Sequence, residues 1–122
     1  MITQVKFVSI PTADQPRALD FWTGQVGFTL LTDQPFDDRQ RWIELSVGDS
    51  TTRVVLFVPG EEDRDRIGRA FYGAFACDDV EATHRQLSAR GVTFIKPPTS
   101  APWGSFAVFQ DPDGNHFVLS SR

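Results

Sequence analysis

The sequence has little cysteine, no long apolar run and no excess of basic residues. Its one cysteine, Cys77, excludes an internal disulfide and is typical of a small buried side chain in a reducing compartment. No apolar run approaches the ~20 residues of a membrane-spanning helix, and the first residues lack a signal-peptide pattern. We therefore expect a cytoplasmic protein with no membrane partner.

Basic residues are too few for a nucleic-acid-binding surface. Lys and Arg number 12 against 16 Asp and Glu, which gives a net charge of −4. Without a basic stripe, no nucleic-acid partner is expected. A Gly-rich phosphate loop, a Cys-x-x-Cys pair and a nucleophile elbow are also missing from the sequence, which argues against nucleotide hydrolysis, thiol redox and serine hydrolase chemistry.

Aromatic residues are plentiful by contrast. The 122 residues include 11 Phe and 3 Trp but a single Tyr, and 40% of the chain is hydrophobic. This length suits one domain with a proper core. Aromatic rings fill such cores first and line pockets second, so both a packed interior and an aromatic pocket are expected.

The chain nearly repeats itself. Tyr72 and Asp79 lie 65 positions after Phe7 and Asp14 (72 − 7 and 79 − 14), and each pair opens a strand–turn–helix–Gly–strand pattern. The repeat predicts a duplicated module that builds one site between its halves. Module one covers about residues 1–59, a charged exposed connector about 60–69, and module two about 70–122 of a single domain.

Each module reads as βαβββ, which makes the predicted fold class α+β. In both, an Asp caps a helix that a glycine ends, Gly24 in module one and Gly91 in module two. The predicted strands are 5–10, 28–31, 42–47 and 53–58, then 71–76, 92–95, 104–110 and 116–120. Two segments are expected to be loops, 33–41 and the Pro-rich 96–102. Asp111 to Asn115 has the sequence of a type I turn.

These pieces resemble the vicinal oxygen chelate superfamily, which includes glyoxalase I, bleomycin-resistance proteins and extradiol dioxygenases. The resemblance spans essentially the whole chain and rests on the order of its motifs. They are Asp14 with Arg17 to Trp22, Val26-Gly27-Phe28, Asp78-Asp79-Val80, Arg90-Gly91-Val92, Trp103-Gly104 and Asp111 to Asn115. The resemblance implies two tandem βαβββ modules, with sheets curled around a cleft that a homodimer usually completes.

The resemblance also implies where a metal would bind. Metal-dependent members take His or Glu ligands, sometimes Gln, from the first and fourth strands of each module. Those positions here are Phe7 and Tyr72, then Val55 and Val118. Phenyl and isopropyl groups offer no lone pair to a divalent cation, and a phenol is an uncommon ligand. No metal site and no cofactor are therefore predicted, although a weak two-ligand site at Glu44 and His116 stays open as an alternative.

Candidate site residues follow from the positions that the resemblance implies and from strand alternation around them. His116 lies two positions before Val118 and Glu44 alternates with Trp42 and Ser46, which makes His116 and Glu44 the candidate general bases. The predicted ligand-binding residues line an aromatic and apolar cleft. They are Phe7, Ser9, Trp42, Val55, Tyr72, Trp103 and Val118.

Two functions of different classes remain. The first is a metal-independent protein that binds a small aromatic or amphipathic molecule, in the manner of bleomycin-sequestering proteins, with a role in antibiotic resistance; the acidic chain would suit a cationic drug. The alternative is a superfamily enzyme (a lyase, isomerase or dioxygenase) that uses an atypical metal site or a metal-free base. A partner-binding role with a vestigial cleft is a third reading.

Overall fold

The computed structural model describes residues 1–69 and 71–122, and the side chains of Phe71 and Tyr72 lie outside the described part. The chain divides into two compact units, Met1–Ile67 and Gly68–Arg122. Each unit contains one four-stranded sheet that is not closed. No helix in residues 1–69 and 71–122 has the length and apolar character needed to cross a membrane.

Unit one has the predicted βαβββ order. Its strands are β1 Phe7–Pro11, β2 Thr29–Pro35, β3 Arg41–Ser46 and β4 Arg53–Phe57, and its helix is α1 Gln15–Asp20. The sheet order is β1-β4-β3-β2, with β1 parallel to β4 and the other pairs antiparallel.

Helix α1 begins and ends for local reasons. The Asp14 carboxylate accepts a hydrogen bond from the Arg17 backbone N at 3.1 Å, which satisfies one of the free amides of the first turn. The helix then continues through Phe21–Gln25 in π-helical form. It therefore passes through Gly24, and the prediction that Gly24 ends it is wrong. The chain leaves the helix at Gly27, whose φ of 96° favours glycine.

The core of unit one is the aliphatic face of its sheet packed against this helix. The members of that face are at most 2% exposed: Ile10, Ile43, Leu45, Val54 and Leu56. Ala18, Phe21 and Trp22 are the buried apolar side chains of the helical segment, and the Trp22 indole stacks on Phe28 at 5.2 Å. Period-2 alternation in the strands places all these aliphatic side chains on one face.

Unit two repeats the order. Its strands are β5 Phe71–Cys77, β6 Thr93–Ala101, β7 Gly104–Gln110 and β8 His116–Ser121, and its helix is α2 Val80–Ala89. The sheet order is β5-β8-β7-β6. The core contains Phe75, Phe109 and Phe117, whose rings lie 5.5 to 6.4 Å apart. The α+β class and the tandem βαβββ topology are thus confirmed.

The two predicted loops are shorter than expected, because part of each belongs to a strand. Strand β2 runs to Pro35 and leaves residues 36–40 as a loop, whereas β6 runs to Ala101 and takes up nearly all of 96–102. Both are edge strands, where a proline that lacks an N–H does not interrupt a ladder on its solvent side. Pro97 and Pro98 instead fall at a register shift between Lys96 and Thr99.

The connector and the closing turn form as the sequence indicates. Glu61–Arg66 is a short 3-10 helix with no buried residue. In the turn, the Gly114 backbone N donates to the Asp111 carbonyl oxygen at 3.0 Å, which closes a four-residue β-turn.

Candidate functional site

Within unit one, the helix covers only one face of the sheet, and most predicted site residues lie on the other face. Ser9 pairs with Val55, and Val55 pairs with Glu44, so these three side chains share the face opposite the aliphatic core. The residues of this helix-free face that matter for the site are Phe7, Ser9, Trp42, Glu44, Arg53 and Val55. The regular strand β3 also confirms that Trp42, Glu44 and Ser46 point the same way.

Three aromatic side chains meet on this face, and we call them the aromatic cluster: Phe7, Phe36 and Trp42. The Phe7 ring lies edge-on to the Trp42 indole at 5.7 Å, and Phe36 contacts the same indole at 5.6 Å. Phe36 follows β2 and is 61% exposed. This contact could not be predicted from the sequence, because no local pattern shows that the end of β2 returns over Trp42.

Glu44 ties this cluster to the strand beside it. Its Oε2 accepts a hydrogen bond from Trp42 Nε1 at 3.1 Å, and its Oε1 accepts one from Arg53 Nη1 at 3.0 Å. The Trp42 hydrogen bond, followed by that of Arg53, holds the pKa of Glu44 below its ordinary value, although burial opposes this. A carboxylate stabilised in its charged form is a poor general base near neutral pH, so the geometry gives Glu44 an anchoring role.

An open cavity of about 200 Å³ lies beside Glu44. Its lining is polar and mixed in charge, and its members are Gln4, Lys6, Glu44, Thr51 and Arg53. Lys6 and Arg53 were not predicted as site residues, because a lysine or an arginine at the end of a strand is common on any protein surface.

In unit two, His116 and Val118 share a face as predicted. His116 pairs with Gln110, and Val118 pairs with Val108 on one side and Ala74 on the other. Val118 is therefore surrounded by small aliphatic neighbours within the sheet, and His116 lies at the start of β8. Tyr72 falls in β5, and its side chain lies outside the described part of the structure.

Trp103 occupies a hairpin rather than a long loop. Ala101 pairs with Gly104, so Pro102 and Trp103 form the two-residue turn between β6 and β7. The Trp103 indole is 62% exposed and stacks on the Phe106 ring at 5.7 Å. Lys96 Nζ lies 5.2 Å from the centroid of the same ring, within cation–π distance. Phe106 was not predicted as a site residue from the sequence. Alternation along β7 would have placed it on the same face of the sheet as Val108.

Residues 4–119 match the family model described as Glyoxalase/Bleomycin resistance protein/Dioxygenase superfamily. The chain belongs to this superfamily.

Several solved structures and curated relatives share the fold along nearly the full length. TnmS3, an antibiotic binding protein from Streptomyces sp. CB03234, is 36% identical with a TM-score of 0.87, over 98% of this chain and 96% of that chain. UcmS2 is 31% identical with a TM-score of 0.90, over 98% of each chain. The uncharacterized protein YetH of Bacillus subtilis (strain 168) is 33% identical over 98% of each chain.

The superfamily positions that would hold a metal do not fit one in this chain. Phe7, Val55 and Val118 have hydrocarbon side chains with no lone pair to donate. The neighbouring carboxylate, Glu44, already accepts hydrogen bonds on both oxygens. Within residues 1–69 and 71–122, no group of three or more His, Cys, Asp or Glu is arranged to hold a metal ion.

Proposed function

We propose that this chain is a metal-independent binding protein for a small aromatic or amphipathic molecule. The observation that carries the proposal is the replacement of chelating side chains by Phe7, Val55 and Val118 at the superfamily's ligand positions. The aromatic cluster of unit one supports it, because its exposed Phe36 ring and half-buried Trp42 indole offer apolar contact area. The likeness to TnmS3, whose structure is described as that of an antibiotic binding protein, points to sequestration of an antibiotic.

The energetics of such a site favour a large planar ligand. Burial of apolar surface contributes about 25 cal/mol for each Å², so a ring system that loses ~200 Å² to the aromatic cluster gains about 5 kcal/mol. Association costs at least ~4 kcal/mol in lost freedom of motion. Stacking alone therefore yields weak binding, and tight binding requires polar contacts as well.

We also propose that the protein is cytoplasmic and acts as a homodimer. Support for a dimer comes from β2, an edge strand that carries the exposed side chains of Leu30 and Leu31. Sedimentation equilibrium should give twice the 13.7 kDa chain mass. A monomer at micromolar concentration would contradict this part of the proposal.

The main test combines metal analysis with a ligand screen. Protein purified without chelator should contain no stoichiometric Fe, Zn, Ni or Mn, and its melting temperature should not change with EDTA. A library of planar aromatic compounds should contain molecules that raise the melting temperature. Trp42→Ala should abolish these shifts, whereas Ile95→Ala, which removes an exposed aliphatic side chain in unit two, should keep them.

Two outcomes would overturn the proposal. Stoichiometric metal bound to the purified protein would favour the enzyme alternative with an atypical ligand set. A screen in which no compound changes the melting temperature would favour a vestigial cleft.

A further inference from the structure

The cavity beside Glu44 has a charge balance opposite to that of the whole protein. Lys6 and Arg53 provide two positive charges against the one carboxylate of Glu44. Both oxygens of that carboxylate are already engaged by Trp42 and Arg53. The chain as a whole carries a net charge of −4, which at the level of sequence suggested a cationic ligand.

The two cations keep hydrogen-bonding capacity for a ligand. A guanidinium has five N–H donors, and the contact with Glu44 is made by Arg53 Nη1. Lys6 lines the same cavity as Glu44, and its positive charge helps to hold the pKa of that carboxylate below its ordinary value. Among the residues that the structure describes, no carboxylate lies within ion-pair distance of Lys6. Gln4 and Thr51 add neutral polar groups to the same lining.

The cavity adjoins the aromatic cluster through one hydrogen bond. Glu44, which lines the cavity, accepts this bond from the Trp42 indole at 3.1 Å. Lys6 directly precedes Phe7, another member of the cluster. The aromatic cluster and the cavity therefore share Glu44, which bonds to Trp42 on one side and to Arg53 on the other.

We propose that Lys6 and Arg53 form an anion-recognising subsite, and that the ligand is an aromatic molecule bearing an acidic group. This inference rests on the proposed function, because the aromatic part would bind the cluster of Phe7, Phe36 and Trp42. A cationic group is disfavoured here, since it would meet two positive charges and would compete with Arg53 for Glu44. A carboxylate, sulfonate or ionised phenol has the charge and acceptor oxygens that the subsite requires.

The test uses three probes of the same shape: 2-naphthoate, 2-naphthamide and 2-naphthylmethylammonium. Calorimetric titration of the full chain should rank the anion first and the cation last. Lys6→Gln should lower the affinity for naphthoate by about two- to five-fold, as expected for an exposed ion pair. The same substitution should leave the affinity for naphthamide unchanged. Arg85→Gln, on α2 of unit two, makes the same change in net charge and should alter neither affinity. Raising the salt concentration from 0.05 to 0.5 M should lower the affinity for naphthoate more than the affinity for naphthamide.

The outcomes separate this inference from the proposed function. Equal affinity for the three probes, or a preference for the cation, would overturn the subsite while leaving the binding function intact, provided that Trp42→Ala abolishes binding. If Lys6→Gln and Arg85→Gln reduced the preference for naphthoate equally, the preference would come from the overall charge of the protein. This result would also overturn the subsite. If none of the three probes bound, and no compound of the aromatic library raised the melting temperature, the proposed function itself would be overturned.

Discussion

The indole of Trp42 donates a hydrogen bond from Nε1 to Glu44 Oε2 at 3.1 Å, two residues further along the same strand. The bond joins the aromatic and the charged parts of the helix-free face. It orients an indole whose ring also contacts Phe7 and Phe36. It also satisfies one oxygen of a carboxylate whose side chain is only 12% exposed. The ionised state of Glu44 and the orientation of Trp42 are therefore coupled.

This coupling predicts that Trp42→Phe raises the pKa of Glu44. The indole hydrogen bond is the largest cause of the lowered value, and a phenyl ring keeps the apolar bulk while removing the donor. A titration that follows the Glu44 carboxyl carbon by NMR should show its midpoint move upward. Phe36→Leu is the control, because it removes a ring contact with Trp42 but leaves the N–H in place. An unchanged midpoint in Trp42→Phe would contradict the prediction.

Glu44→Gln should destabilise the protein. The amide that replaces the carboxylate places a donor opposite either Trp42 Nε1 or Arg53, so one partly buried hydrogen bond is lost, at a cost of about 1–3 kcal/mol. Urea unfolding at pH 7 measures this loss. Asp33→Asn, which breaks a more exposed pair with Arg41, should cost no more than ~1 kcal/mol. Equal losses in the two variants would show that Glu44 has no special role.

The same residue gives a pH dependence of known sign. The folded pKa of Glu44 lies below its ordinary value of 4.5. Its stabilising contribution is therefore fully present above the unfolded pKa and is lost as the pH falls through the folded pKa. Subtracting the unfolding curve of Glu44→Gln from that of the parent should show this acid-side loss, and a difference that grows towards low pH would contradict it.

Features encoded by neighbouring residues were predictable from the sequence. Asp14 and Asp79 cap α1 and α2 through bonds to Arg17 N and Ala82 N, because a cap needs only a side chain three residues before an amide. The lengths of β2 and β6 were not predictable. Prolines normally end a strand, and only the sheet order shows that both strands lie at an edge where proline is tolerated.

The candidate site was predictable to the level of a face. Alternation placed Ser9 with Phe7, the resemblance to the superfamily added Val55, and the register of the sheet agrees. The contact of Phe36 with Trp42 and the approach of Lys6 to Glu44 depend on how separate segments meet in space. No local pattern in the sequence encodes such contacts, so Lys6 and Arg53 were recognised as site residues only in the structure.

A series of three glycine variants tests the start of unit two. Gly68 has a φ of 78°, and a Cβ there would lie 2.5 Å from the Asp113 carbonyl oxygen. Gly68→Ala should therefore cost more than the ~1–2 kcal/mol of the left-handed conformation alone. Gly48, with a φ of 50° and no atom within 4 Å of its added Cβ, isolates the conformational part. Gly24, helical and unobstructed, should gain about 0.5–1 kcal/mol on substitution by Ala.

Thermal or urea unfolding of the three variants should rank them with Gly68→Ala least stable, then Gly48→Ala, then Gly24→Ala. If Gly68→Ala and Gly48→Ala lost the same stability, the Asp113 carbonyl would have to move away at no cost. The close approach of these two segments would then contribute nothing to the fold.

Asp111 should make a contribution to the free energy of unfolding that rises as the pH falls. The residue is 4% exposed, and burial raises its pKa from 3.8 to about 6. This burial outweighs the bonds that its carboxylate accepts from Asn115 Nδ2, from the Asn115 backbone N and from the Asp113 backbone N. Because the folded value lies above the unfolded one, the contribution is fully present below pH 3.8 and is lost as the pH rises through about 6.

At about 1.4 kcal/mol for each tenfold change in affinity for the proton, the effect is on the order of 3 kcal/mol. Other carboxylates act in the opposite direction, so the quantity to measure is a difference between variants. Urea unfolding from pH 4 to 7 should show that Asp111→Asn removes this pH-dependent part, whereas Glu62→Gln in the exposed connector keeps it. Parallel curves for Asp111→Asn and the parent protein would mean that Asp111 has the same pKa in the folded and unfolded states.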